Sequence, residues 1–195
     1  MGGHEEKTSE SDPIQVDFLP PEALEVPGRL GMTFAPGKQT EGRWDRDLET
    51  DLQRLREEYD AEVLVSLMEH SEYSDLGIPE LFQKAEDLGI EVLHLPIPDG
   101  SVPMDPEADD YRALIEDIAE RLKEGQTVLA HCRGGQGRSG LVAASVLVTL
   151  GHPAVGALEL VRRTREGAVE TPEQEDRVHF FELELGAGGG SREES

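Results

Sequence analysis

One cysteine, Cys132, occurs in the 195 residues, so no internal disulfide can form. A thiol without a resolving partner also rules out chemistry that cycles through an internal disulfide. Peroxide is expected to carry Cys132 through sulfenic acid to higher oxides. Lysine is scarce, with only Lys7, Lys38, Lys84 and Lys123. The 18 basic residues face 42 acidic ones, a net charge of -24. That balance disfavours nucleic acid and anionic membrane as partners. It also repels acidic substrates at long range, although salt screens this beyond ~8 Å. Any anion site must then be a local positive spot on a negative body. Aromatics make up 5% of the chain, which favours a plain, shallow cleft over a deep aromatic one. The longest apolar stretch, Leu141–Leu150, is too short to span a bilayer. The N-terminal segment is polar and acidic, unlike a secretion signal, and a cytoplasmic protein is expected.

What remains is enough for one ordinary domain with a core: 36% hydrophobic and 31% charged residues. The informative stretch is Val128-Leu129-Ala130-His131-Cys132-Arg133-Gly134-Gly135-Gln136-Gly137-Arg138-Ser139-Gly140. An apolar strand runs into a glycine-rich turn that opens directly into an apolar helix. Glycines let the backbone curl so that its N–H groups point into a ring. The dipole of the following helix is aimed at the same point, so the ring favours an anion. Arg138 adds a planar fork able to grip two phosphate oxygens. As a surface residue, an arginine at a helix start would be placed against the dipole. A thiol at the base of such a cradle is favoured as the thiolate, the nucleophilic form, and would be aimed at phosphorus.

His131-Cys132, five residues and then Arg138-Ser139 resembles the signature loop of cysteine-dependent protein tyrosine and dual-specificity phosphatases. Pro96-Ile97-Pro98-Asp99-Gly100 and Gly134-Gly135-Gln136-Gly137-Arg138-Ser139 are similar to the compact group that includes kinase-associated phosphatases. The likeness in layout extends from about Gly28 to Leu185. It implies a metal-independent phosphomonoester hydrolase with no cofactor, acting on phosphotyrosine, and also phosphoserine or phosphothreonine, in a protein or peptide. A phosphatase for a phosphoinositide ranks lower, because Arg133 is the only extra basic residue in the loop. A phosphate-binding pseudoenzyme is disfavoured by the intact Cys132, Arg138 and Asp99.

Along the chain, 1–13 reads as a loose tail, 14–185 as one domain and 186–195 as a second loose tail. Strands are expected at Ile14–Phe18 (an edge), Leu30–Phe34, Glu62–Leu67, Glu91–Leu95 and Gln126–His131. Trp44, Leu48, Leu52, Leu55 and Tyr59 lie at helical spacing and predict a helix over Arg43–Tyr59. Further helices are expected at Pro79–Leu88, from Asp105 to Lys123 (Asp105 the cap), to Leu150, at Ala154–Thr164 and from Thr171 to Leu185. Glu69–Ser74 reads as a loop. The alternation argues an α/β fold: a central, mostly parallel sheet flanked by helices on both sides, like the phosphotyrosine phosphatases. Following chain direction, the loops at Lys38–Arg43, His70–Ser74, Asp99, Cys132 and Thr171–Gln174 meet at the carboxyl edge of the sheet, where such folds bind ligands.

Roles follow. Cys132 is the nucleophile. The backbone of Arg133, Gly134, Gly135, Gln136, Gly137 and Arg138, with the Arg138 guanidinium, holds the phosphate. Asp99 is the general acid, in agreement with the acid that the resembling family carries about thirty residues before its cysteine. A turn aspartate is the alternative reading of Asp99, and Asp105 is the rival acid, although its place as a helix cap already accounts for it. Ser139 eases breakdown of the intermediate, and His131 shapes the loop. The resemblance offers a water-positioning glutamine at Gln174. Thr171-Pro172-Glu173-Gln174 is equally a capping box. Side-chain contact with substrate from Arg133, Gln136, Lys38 or Arg43 is weighed against plain surface exposure. No metal spacing occurs among the histidines. The oligomeric state is not legible, and a monomer is favoured.

Overall fold

A computed structural model describes residues 6–103 and 107–189. In chain order the elements are β1 (Lys7–Thr8), β2 (Asp17–Phe18), α1 (Pro21–Leu24), β3 (Arg29–Phe34), β4 (Gln39–Thr40) and β5 (Trp44–Asp45). Then come α2 (Leu48–Glu57), β6 (Val63–Ser66), α3 (His70–Asp75), α4 (Leu81–Asp87) and β7 (Glu91–His94). The chain continues with α5 (Ala108–Lys123), β8 (Thr127–Cys132), α6 (Gly137–Thr149), α7 (Ala154–Thr164) and α8 (Pro172–Gly189).

The main sheet has the order β2-β3-β8-β6-β7. Its four longer strands are parallel, and β2 is an antiparallel edge. Alternation of side chains along the strands divides the core in two. Val63, Val65, Val128 and Ala130 face α5, α6, α7 and α8. Leu64 and Leu129 face the other way, onto α2 and α4. The expected α/β sheet with helices on both sides is what the chain forms. The strand that delivers Cys132 is the middle one, so the reactive end is braced on both edges: Phe34 pairs with Cys132, and Ser66 with His131. Among the described residues no helix is long and apolar enough to cross a membrane.

Several local expectations need correction. The expected loose tail is tied down from at least Lys7. The Lys7 N–H donates to the Arg43 carbonyl at 3.1 Å, and β1 runs parallel to β5. The Arg46 guanidinium donates to the carbonyls of Asp12 at 2.7 Å and Thr8 at 3.4 Å. These are bonds to main-chain atoms, which composition does not reveal. The helix expected from Arg43 starts only at Leu48, because Asp47 caps it by accepting from the Thr50 N–H at 2.7 Å. Trp44 therefore sits on a strand of the small sheet β1-β5-β4. The expected loop at Glu69–Ser74 is mostly helix α3. Helix α8 continues to Gly189, beyond the expected end at Leu185. The proposed cap Asp105 lies outside the described residues, as do 1–5 and 190–195.

Candidate active site

Cys132 ends β8 and is 3% exposed. Its Sγ accepts from the Gly135 N–H at 3.2 Å and lies 3.7 Å from Ser139 Oγ. The tight curl needs its glycines. Gly135 has φ +71°, and a Cβ there would run into the Thr33 carbonyl. At Gly137 a Cβ would meet the Glu170 carboxylate and, at 3.0 Å, the Gln174 amide. Helix α6 begins at once, its first turn closed by the Gly140 N–H donating to the Gln136 carbonyl at 2.9 Å. The N–H groups ahead of that bond have no helical partner and carry the positive end of the dipole. Behind them α6 is buried from Gly137 through Val148, so the helix is held by core packing along its length.

His131 is wholly buried beneath this loop. Nδ1 lies 3.4 Å from the Cys132 carbonyl, and Nε2 has no partner among the described residues. Burial pushes its pKa down to about 4, with the Arg138 charge acting in the same sense against the Cys132 carbonyl. The ring is therefore neutral at physiological pH.

Arg138 is 1% exposed and heavily bonded. Nη1 and Nη2 donate to Glu72 Oε2 and Oε1 at 2.6 and 2.8 Å, a bidentate pair. Nη1 also donates to the Ile97 carbonyl at 2.9 Å, and Nη2 lies 3.2 Å from Asp99 Oδ1. The structure thus brings Asp99, on the loop after β7, to the same guanidinium that follows Cys132 on the loop after β8. Asp99 itself is two-thirds exposed. Glu72 was not singled out from the sequence, although its segment was placed at this edge. Burial alone would raise its carboxyl, but hydrogen bonds from Arg138 and from the Glu69 N–H outweigh that, and its pKa is lowered on balance.

The late loop closes the far side. Gln174 is fully buried. Its Oε1 accepts from the Glu170 and Thr171 N–H groups at 2.9 and 3.3 Å, and the Thr171 hydroxyl accepts from the Gln174 N–H at 3.2 Å. The capping box is therefore formed. In addition Gln174 Nε2 donates to the Ser101 carbonyl at 3.2 Å, and the Thr171 hydroxyl to the Gly100 carbonyl at 3.3 Å. These bonds tie the Asp99 loop to the start of α8. Val169, a β-branched residue at φ +60°, gives its N–H to the Gln136 carbonyl at 3.3 Å. A left-handed valine is strained, and here the strain is held against the Cys132 loop.

Of the other basic candidates, Arg133 is exposed and Lys38 is buried. Arg165, not singled out in advance, pairs with Asp17 at 2.6 Å and donates to the Gly134 carbonyl at 3.2 Å. The side chain of Gln136 turns away to donate to the Glu166 carbonyl at 3.0 Å.

A parallel sheet whose central strand hands a buried cysteine to an arginine-ended loop, with an aspartate brought over it, defines a cysteine-dependent phosphatase of the protein tyrosine and dual-specificity class. Comparison with solved structures agrees. The chain is similar to kinase-associated phosphatase with its catalytic-site cysteine replaced by serine, at a TM-score of 0.81 and 27% identity, covering 89% of this chain and 97% of that one. It is also similar to Tk-PTP in its active form, at a TM-score of 0.67 and 32% identity, covering 86% and 96%. Within the class, the chain belongs to the cyclin-dependent kinase inhibitor 3 (CDKN3) family, whose model matches residues 2–156. Cyclin-dependent kinase inhibitor 3 of Rattus norvegicus is 33% identical over 190 residues, 94% of this chain and 86% of that protein. The chain is a cysteine-based protein phosphatase.

Proposed function

We propose that this phosphatase hydrolyses phosphotyrosine, and also phosphoserine or phosphothreonine, in protein substrates through a phosphocysteine intermediate. One observation supports this above all others. Asp99 comes from the loop after β7, yet it pairs at 3.2 Å with Arg138, the arginine that closes the loop begun by Cys132.

The phosphate enters the curl and takes up the N–H groups between Arg133 and Arg138, displacing Asp99 from the guanidinium. Cys132 Sγ attacks phosphorus in line. The S–P bond forms as the P–O bond to the leaving group breaks, and protonated Asp99 gives its proton to that oxygen. In the second step the Asp99 carboxylate takes a proton from water as the water oxygen attacks phosphorus. The S–P bond breaks, Ser139 donates to the departing sulfur, and inorganic phosphate leaves. Gln174, fixed between α8 and the Asp99 loop, is the group assigned to hold that water. The related structure whose catalytic-site cysteine was replaced by serine supports the part given to Cys132.

Residues 14–185 make up the catalytic unit in this reading, with the segment from Lys7 to Asp12 held on by β5 and Arg46. A reducing compartment, the cytoplasm, suits a single unprotected thiol that must stay reduced to work. A monomer is the favoured state. The test is turnover of p-nitrophenyl phosphate and of a phosphopeptide panel in the presence of a chelator. Wild-type protein is expected to release phosphate, and Cys132→Ser none above background. Equal rates from the two proteins would refute the reading.

A further inference from the structure

Beside the Cys132 loop lies a second cavity of about 390 Å³. Arg133 and Gly134 line it from the loop; Lys38, Arg43 and Trp44 line it from the N-terminal segment, and Arg165 from the end of α7. Lys38 stands out among these. It is 7% exposed, and its ammonium lies 4.1 Å from the centre of the Trp44 ring and 4.2 Å from that of Phe34. Among the described residues no carboxylate comes within 4.0 Å of it, and none within that distance of Arg43 or Arg133.

Arg46 supplies the contrast. It is buried in the same stretch of chain and lies 4.9 Å and 5.9 Å from the centres of the same Phe34 and Trp44 rings, but Asp51 neutralises it with two bonds of 2.8 Å. A cation placed in the interior for the fold's sake comes with its counter-charge. Lys38 comes with aromatic faces, which offset part of the desolvation but leave its charge free. Lys38 is thus a buried cation without a counter-charge that lines a cavity next to the Cys132 loop.

We propose that this cavity is a second anion subsite, which takes a second phosphate group of a phosphopeptide while the first is seated over Cys132. The proposal rests on the phosphatase reading above. A phosphate dianion suits three unpaired cations better than a carboxylate does, since it offers more charge and more acceptor oxygens. A peptide suits the surroundings better than a polyphosphorylated head group. Arg133 and Trp44 also line a neighbouring cavity of about 600 Å³, whose other residues include Glu6, Glu41, Asp45 and Asp75. That acidic side repels a ligand that is anionic throughout and accepts a basic residue of a peptide.

Burial, and then Arg46, Arg43 and Arg165, push the Lys38 pKa down to about 8, with Cys132 opposing. Arg133, across the cavity, adds to the positive side. An anion in the cavity would return the proton to Lys38, so the subsite should weaken as pH rises past about 8.

The experiment compares kcat/KM for a peptide with one phosphorylated residue against the same peptide carrying a second phosphorylated residue at each neighbouring position in turn, or Glu, Ala or Lys there. The second phosphate is expected to raise kcat/KM about tenfold or more at its best position, with Glu intermediate and Lys unfavourable. That ratio should fall towards one in Lys38→Met and decline above about pH 8 in wild type. In Lys38→Arg it should survive and lose its pH dependence. Arg43→Gln, an exposed change, should lower the ratio in part and keeps the test open if Lys38→Met fails to fold. No gain from a second phosphate at any position, or a gain untouched in both Lys38→Met and Arg43→Gln, would overturn the subsite. A soluble inositol bisphosphate hydrolysed faster than every peptide would overturn the assignment to peptides. Failure of wild-type protein to turn over p-nitrophenyl phosphate would strike instead at the reading beneath it.

Discussion

Arg138 and Glu72 form a buried, bidentate ion pair at 2.6 and 2.8 Å across 66 residues of chain. The pair fixes the plane of the guanidinium, leaving Nη2 3.2 Å from Asp99 and Nη1 on the Ile97 carbonyl. Glu72→Ala would leave the arginine buried without that partner, and breaking such a pair typically costs about 3–5 kcal/mol. The expected outcome is a lower unfolding midpoint and a loss of kcat/KM of about a hundredfold, with partial recovery in Glu72→Asp. Thermal unfolding and steady-state kinetics on the three proteins check this.

Asp99 and Asp105 are the two aspartates between β7 and α5. Asp99 lies 3.2 Å from Arg138, whereas Asp105 lies outside the described residues. Asp99→Asn is expected to lower kcat by about 10²- to 10⁴-fold on substrates with poor leaving groups, with little change in KM. The loss should shrink for good leaving groups, which need no proton. Asp105→Asn should leave both constants near wild type. A reversal between the two variants would move the acid.

Gln174 makes both the capping box and the bond to the Ser101 carbonyl. As a water-positioning group, its loss in Gln174→Ala would slow the second step alone. Stopped-flow should then show a burst of alcohol followed by a slow steady state. Ser139→Ala should do likewise, because its hydroxyl is 3.7 Å from the departing sulfur. A role in capping alone would cost about 1 kcal/mol of stability and produce no burst.

Buried titratable groups make stability depend on pH. Lys38 is lowered to about 8 in the folded chain from 10.5. Between those values the unfolded chain binds the proton that the folded chain has released, so stability from this group rises with pH from about 8 to 10.5. Tyr73, raised by burial to about 12, acts in the opposite sense from about pH 10 upward. Denaturant midpoints should therefore climb between pH 8 and 10 in wild type relative to Lys38→Met. His131, lowered to about 4 from 6.5, gives the same sign on the acid side. Its contribution is complete above about pH 6.5 and is lost as pH falls towards 4.

The parts of the site legible in the sequence are those in which neighbours in the chain make the chemistry. Cys132, its glycines and Arg138 belong to one turn, and strand direction alone was enough to bring Asp99 to the same edge. Glu72 was hidden because its significance is its distance from Arg138, and because α3 is too short and polar to show a helical period. Trp44 was assigned to a helix because it fell four residues before Leu48 in an otherwise genuine apolar stripe. The cap at Asp47 marked the true start, and with it the place of Trp44 on the cleft wall beside Lys38. The strap from Lys7 to Asp12 is held through main-chain carbonyls, which leave no trace in side-chain composition.

The central claim is a covalent phosphoryl group on one sulfur, and a rapid-quench experiment tests it most directly. Enzyme mixed with labelled phosphopeptide, stopped in alkaline denaturant and mapped by mass spectrometry should carry one phosphoryl group on Cys132 during turnover, and none in Cys132→Ser. Phosphate released with no labelled enzyme at any time, or label on another residue, would contradict it.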